Sequence, residues 1–210
     1  MGPCFGSYVL PFICCGLVLL SAGCITDSPS PSPENTPVQT VTTPTPENPS
    51  ITVAPADMAI QKEDLPPDYR LKDRTVTSYA GVSQVFRDLG WQQGYRASFY
   101  RLDTDTGDST SIMQEIEVYP LKTVKDAYTQ RKETLLPADN SRTDYQVPFP
   151  LTGDRSIAWR EVRYQQNVPA VTYTVIFTKK NVYEKISMTG TSTDYELLKN
   201  IAATAVARIR

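Results

Sequence analysis

The chain has no histidine among its 210 residues, and its four cysteines, Cys4, Cys14, Cys15 and Cys24, all lie in the first 24 positions. Past Cys24, the side chains able to trade protons near neutral pH or to grip a cation are carboxylates. Asp103, Asp105 and Asp108 crowd into one short stretch and could turn their oxygens toward calcium. The spacing departs from a calcium loop, because Gly107 comes one position early and Gln114 stands where the bidentate glutamate belongs. An ordinary hairpin loop is the better reading, so no metal ligand is assigned. Glu115, Glu117 and Glu161 could work as a hydrolytic pair only if two of them stood roughly 5–9 Å apart, one with a raised pKa. The sequence carries no sign of that geometry. No catalytic residue and no cofactor are therefore assigned, and Ser-His-Asp, Cys-His and imidazole-metal chemistry is excluded by composition.

Aromatic side chains with a polar edge are the other candidates, since they favour binding surfaces. Trp91 and Tyr95 stand with Phe99 and Tyr100 in one stretch, and Trp159 is followed by Arg160 and Arg163. Trp91, Tyr95 and Trp159 are taken as a candidate binding surface. Core packing at a helix–strand joint, and strand alternation with charges facing water, account for the same residues equally well. A net charge of −2 offers no basic field for nucleic acid.

Cys24 is the candidate for a different chemistry, attachment of lipid to sulfur. It follows an uncharged apolar run from Tyr8 to Leu20 and the small residues Ser21, Ala22 and Gly23. The run has the length of a secretory signal core, and small side chains are what a signal-cleaving enzyme admits next to the cut. Leu20-Ser21-Ala22-Gly23-Cys24 resembles a prokaryotic lipobox, with the leucine one place further from the cysteine than usual and no Lys or Arg near Met1. The resemblance implies a signal peptide over 1–23, lipid on Cys24, and a position on the extracytoplasmic face of the cell membrane. An uncleaved anchor from Cys4 to Ile25 is the alternative, as that stretch is long enough to span a bilayer.

Residues 24–56 are rich in Ser, Thr and Pro, and Pro31-Ser32-Pro33-Glu34-Asn35 returns as Pro44-Thr45-Pro46-Glu47-Asn48. Such a composition cannot bury enough apolar surface to offset the entropy of ordering, so a disordered stalk is expected.

The elements that must position the aromatics lie in 57–210, a length suited to one domain. Strands are expected at 69–76, 95–102, 111–119, 156–165, 170–178 and 182–188, and helices at 78–89, 123–136 and 193–210. Residues 103–108 read as a hairpin loop and 139–153 as a longer loop. The last helix carries the clearest pattern: Leu197, Leu198, Ile201, Ala202, Ala205, Val206 and Ile209 share a face, with Thr193 and Glu196 expected as a capping box. The order predicts an α+β domain, a mostly antiparallel sheet of about six strands packed with three helices as an α/β/α sandwich. The arrangement is similar to the Mog1/PsbP-like and LpqN-like domains of exported lipoproteins. It also resembles small lipoproteins of methanogenic archaea, through Gly90-Trp91-Gln92-Gln93-Gly94-Tyr95 at the first helix-to-strand joint and Gly153-Asp154 before a strand. The resemblance implies fold and location, and transfers no catalytic residue. The expected function is a monomeric, membrane-anchored, non-enzymatic domain that binds an envelope protein or surface glycan. A small carboxylate-dependent hydrolase is the alternative.

Overall fold

The computed structural model describes residues 53–135, 145–165 and 168–210. The signal peptide, Cys24 and almost all of the expected stalk lie outside the described residues. Among the described residues, no helix is long and apolar enough to cross a membrane.

The architecture is α+β, built on an antiparallel sheet. Its strands are β1 (Arg70–Val76), β2 (Gln93–Leu102), β3 (Ser109–Val118), β4 (Tyr145–Val147), β5 (Arg155–Gln165), β6 (Val168–Lys179) and β7 (Val182–Gly190). They lie in the order β1-β2-β3-β7-β6-β5-β4. The sheet thus has seven strands rather than six. β4 falls inside the stretch expected to be a loop, because three residues are too few to display a period. The four α-helices are α1 (Pro55–Met58), α2 (Gln84–Asp88), α3 (Val124–Leu135) and α4 (Tyr195–Arg208). The single helix expected over 78–89 is a 3₁₀ turn, Tyr79–Gly81, followed by the five-residue α2. α1 and a second 3₁₀ turn, Lys62–Asp64, precede every helix expected from the sequence, and the expected boundary at residue 57 falls within α1.

Strand alternation sorts the side chains between two faces. On one face Phe99, Ile112, Ile116, Phe177, Ile186 and Met188 pack beneath α4 and the α1 segment, which contribute Leu198, Ile201, Ala202 and Met58, Ala59, Ile60. On the other face Trp159, Ile176 and Tyr183 pack with Phe86 of α2 and Val124, Ala127 and Tyr128 of α3. α4 buries the expected stripe, but its N-cap is Asp194, whose Oδ1 accepts from Leu197 N–H at 3.0 Å. Glu196 is engaged by Lys199 instead, at 2.7 Å, so the Thr193–Glu196 box does not form.

The strand ends are fixed by short polar links. Asp154 Oδ2 accepts from Lys180 N–H at 2.8 Å, steadying the β6–β7 turn where Lys180 takes a positive φ of 55°. In the β2–β3 loop Asp103 Oδ1 accepts from the backbone N–H groups of Asp105 and Thr106, an Asx turn. Asp108 accepts from the hydroxyls of Thr106 and Thr191. The three acids thus sit in a hairpin loop that they themselves help to tie.

Candidate functional site

The joint between α2 and β2 carries the most distinctive local geometry. Just past the C-cap of α2, Leu89, Gly90 adopts φ 81°, a left-handed conformation that costs glycine little. Trp91 N–H then donates back to Phe86 O at 3.0 Å and Gly90 N–H to Arg87 O at 2.9 Å, closing the helix end. This turn drives the Trp91 indole inward, where it is 6% exposed. Gly94 makes room for the ring: a Cβ there would stand 2.8 Å from Trp91 Cζ2 and 3.0 Å from Thr77 Cβ. The two glycines of the Gly-Trp-x-x-Gly-Tyr stretch therefore each have a structural reason.

An open cleft of about 410 Å³ lies beside this joint, with Val76, Tyr79, Trp91, Gly94 and Tyr95 among its lining residues and Ala54–Ala56 as a further wall. Tyr79 is 59% exposed and its ring centroid stands 6.1 Å from that of Trp91 at a tilt of 53°. Arg87 lies 5.6 Å over the Tyr79 ring, a cation–π contact that helps orient it. Val76 at the end of β1 is 73% exposed. Among the described residues, none of those lining it is an acid, lysine or arginine. The cleft can hold an apolar or aromatic-stacking ligand and can hydrogen-bond it through Gln92, Gln93 and Thr77.

Two of the three candidate residues meet here. Trp91 and Tyr95 both line the cleft, whereas Trp159, 4% exposed, sits in the apolar cluster beneath α3. Arg160 does not accompany Trp159, because alternation along β5 sends it to the opposite face, 6.0 Å over the Tyr173 ring. Phe99 is fully buried in the first core, and Tyr100 faces the other way. Sequence reasoning missed Tyr79, Val76 and Ala54–Ala56. A continuous helix over 78–89 hides the separate turn that presents Tyr79, and residues 54–56 fall within the expected stalk.

The carboxylates weighed for hydrolysis each hold a cation. Glu115 pairs with Arg96 at 2.8 Å and Lys185 at 2.6 Å. Burial pushes its carboxyl up, but Lys185 and Arg96 outweigh this and hold it below the ordinary range. Glu117 is gripped by Arg131 and accepts from the Tyr119 hydroxyl at 2.8 Å. Arg131 in turn stacks 3.6 Å over the Phe86 ring, tying α3 to α2. Burial, reinforced by Glu117, keeps the Tyr119 hydroxyl protonated far beyond the usual range of a phenol. Glu161 pairs with Arg163. Among the described residues no group of three or more acids could hold a metal ion.

One buried acid lacks any such cation. Glu184 on β7 is fully buried on the α4 face and accepts from Gln114 Nε2, while its second oxygen, Oε2, meets no donor among the described residues. Burial raises its carboxyl from 4.5 to about 8, against an opposing contribution from Gln114.

No family pattern and no curated protein matches the chain. A solved structure of an uncharacterized protein from Mycobacterium smegmatis is similar at 14% identity, covering 70% of this chain and 92% of its own, with a TM-score of 0.42.

Proposed function

We propose that this chain is an exported lipoprotein, anchored through Cys24 to the outer face of a cell membrane, whose domain binds an envelope protein or surface glycan without chemical turnover. The observation that carries the binding half is the cleft of Val76, Tyr79, Trp91 and Tyr95, apolar, aromatic and, among the described residues, lined by no carboxylate or cation. Tyrosine and tryptophan faces suit both peptide side chains and sugar rings. The carboxylates a hydrolase would need are held in ion pairs instead, Glu115 with Arg96 and Lys185, Glu117 with Arg131 and Glu161 with Arg163. The anchoring half rests on the lipobox-like Leu20–Cys24. Helices on both faces of an antiparallel sheet agree with the Mog1/PsbP-like resemblance, which is itself a resemblance to exported lipoproteins.

The test places a photocrosslinking side chain at Gln93, on the cleft wall, in cells carrying the full chain. Discrete adducts that vanish on Tyr79→Ala are expected. Adducts indifferent to Tyr79→Ala would defeat the cleft as the binding site. In the same cells Cys24→Ser should release or misprocess the protein, and unchanged membrane retention with an intact amino terminus would favour a spanning anchor.

A further inference from the structure

Three fully buried groups form a chain across the centre of the α4 face. Ile60 N–H donates to Gln114 Oε1 at 2.8 Å, and Gln114 Nε2 donates to Glu184 Oε1. Met58, Ala59, Ile60, Gln114 and Glu184 are all 0% exposed. A glutamine so placed has its carbonyl committed to one side and its amide to the other, so Glu184 must offer it an acceptor. Either ionisation state of Glu184 does that. The states differ at Oε2 and in the charge, which meet no donor and no cation among the described residues.

The surroundings of Glu184 cannot supply that cation. On its rung of the sheet stand Ile116 and Phe177, with Tyr95 a strand beyond Ile116. α4 contributes Leu198, Ile201, Ala202 and Ala205, and the segment before β1 contributes Met58, Ala59 and Ile60. The cations on these elements are engaged elsewhere: Lys179 on Val206 O, Lys185 on Glu115, Lys199 on Glu196, Arg208 on Asp64 and Lys62 on the carbonyls of Pro66 and Pro67, while Asp57 in α1 is exposed and of the same sign as an ionised Glu184.

We infer that residues 54–60 are a proton-sensitive strap, held on the sheet while Glu184 is neutral and loosened when it ionises, with Ala54–Ala56 moving the wall of the aromatic cleft. A buried anion with one donor is relieved at least cost by admitting water. β3, β6 and β7 each have strand neighbours on both sides and cannot yield singly. α4 is held by four buried apolar residues, Leu198, Ile201, Ala202 and Ala205, with Ile209 buried just past its end. The strap is a four-residue helix and a short extended run, held by Met58, Ala59 and Ile60 and by the Gln114 link to Ile60 N–H, with no strand pairing of its own. It is the element able to lift. The raised carboxyl of Glu184 places the change near neutral to mildly alkaline pH. The inference does not depend on what the cleft binds.

The test is hydrogen exchange of the full chain, corrected for the intrinsic pH dependence of amides, between about pH 6 and pH 9. Protection over 57–60 should fall roughly tenfold or more, while β3 and β7 amides hold, as expected of a local opening. Glu184→Gln and Glu184→Met should abolish the fall. Flat protection in the wild type, an equal fall in the neutral variants, or a parallel loss across β3 and β7 would each overturn the strap. So would failure of both neutral variants to fold, since the carboxylate would then be required.

Discussion

Arg208, in the last turn of α4, donates from one guanidinium nitrogen to both carboxylate oxygens of Asp64, at 2.9 and 2.7 Å, across 144 positions of sequence. Asp64 also accepts from Gln61 N–H at 2.6 Å, closing a capping box on its own 3₁₀ turn. The pair therefore clasps the segment before β1 to the end of the final helix. Both side chains are largely shielded, so the clasp should be worth more than a surface ion pair, which contributes about 0–1 kcal/mol. Asp64→Ala and Arg208→Ala should each cost about 1–3 kcal/mol, and a double-mutant cycle in denaturant melts should return a coupling of about 1 kcal/mol. Strict additivity would show that the clasp contributes nothing to stability.

The stripe of α4 makes a second prediction. Leu198 and Ile201 are buried against the sheet and Asn200 is exposed. Truncating either buried residue to Ala should cost about 2–5 kcal/mol, because transfer energy is lost and a cavity remains. Asn200→Ala should stay within about half a kcal/mol. Lys199 is not simply solvent-facing as the helical period implied: it binds Glu196 and lies 4.7 Å over the Tyr195 ring. Lys199→Ala should fall between the two classes, at about 0.5–1 kcal/mol. Urea melts of the four variants separate these outcomes.

What the sequence displays and what it hides follow from length and period. β6 announces itself, because Val171, Tyr173, Val175 and Phe177 alternate over enough positions to define a face. α4 does so through its stripe, yet its first residue was misplaced, since Thr193 and Asp194 are both good caps and only the structure shows which oxygen meets Leu197 N–H. Residues 78–89 carry an apolar pattern compatible with one helix, but the Tyr79–Gly81 turn and α2 split it, and local pattern cannot report that break. For the site, the glycine-flanked Trp91 and Tyr95 were visible. Tyr79 and Ala54–Ala56 were not, because their role arises from proximity distant in sequence. Glu184 was a visible misfit, a charge at an inward position among Val182, Ile186 and Met188. Its meaning needed Gln114, 70 positions away.

Gly94 and Tyr79 separate cleft shape from cleft contact. A methyl group at Gly94 must displace Trp91 or Thr77, and such overpacking typically costs about 1–3 kcal/mol. Gly94→Ala should therefore lower the melting temperature and shift tryptophan emission. Tyr79→Ala removes a side chain that is mostly exposed and should change stability by no more than about half a kcal/mol while removing crosslinked partners. A Gly94→Ala protein with unaltered melting and emission would show that the ring does not sit against β2 as described.

The last prediction concerns pH. Glu184 ionises near 8 in the folded state, raised by burial, against an ordinary 4.5 once the chain is unfolded. Between those values the unfolded state gives up this proton while the folded state retains it. The unfolded state then binds fewer protons, so stability falls as pH rises, at up to about 1.4 kcal/mol per pH unit for one such group. Below about 4.5 both states are protonated and this slope vanishes; above about 8 both are ionised and the loss levels off. Glu115 acts in the opposite sense. Burial raises it, but Lys185 and Arg96 prevail and hold it low, so its contribution is present above the ordinary carboxylate range and disappears as acid protonates it. The wild type should thus be most stable on the mildly acidic side, with an acid limb to which Glu115 contributes and an alkaline limb owed to Glu184. Glu184→Gln should flatten the alkaline limb between about pH 5 and pH 8 and leave the acid limb in place. Glu115→Gln should do the reverse. Urea melts of the three proteins from about pH 3 to pH 9 decide it: an alkaline limb that survives in Glu184→Gln would show that some other group, and not the buried carboxyl of β7, sets the pH dependence of the fold.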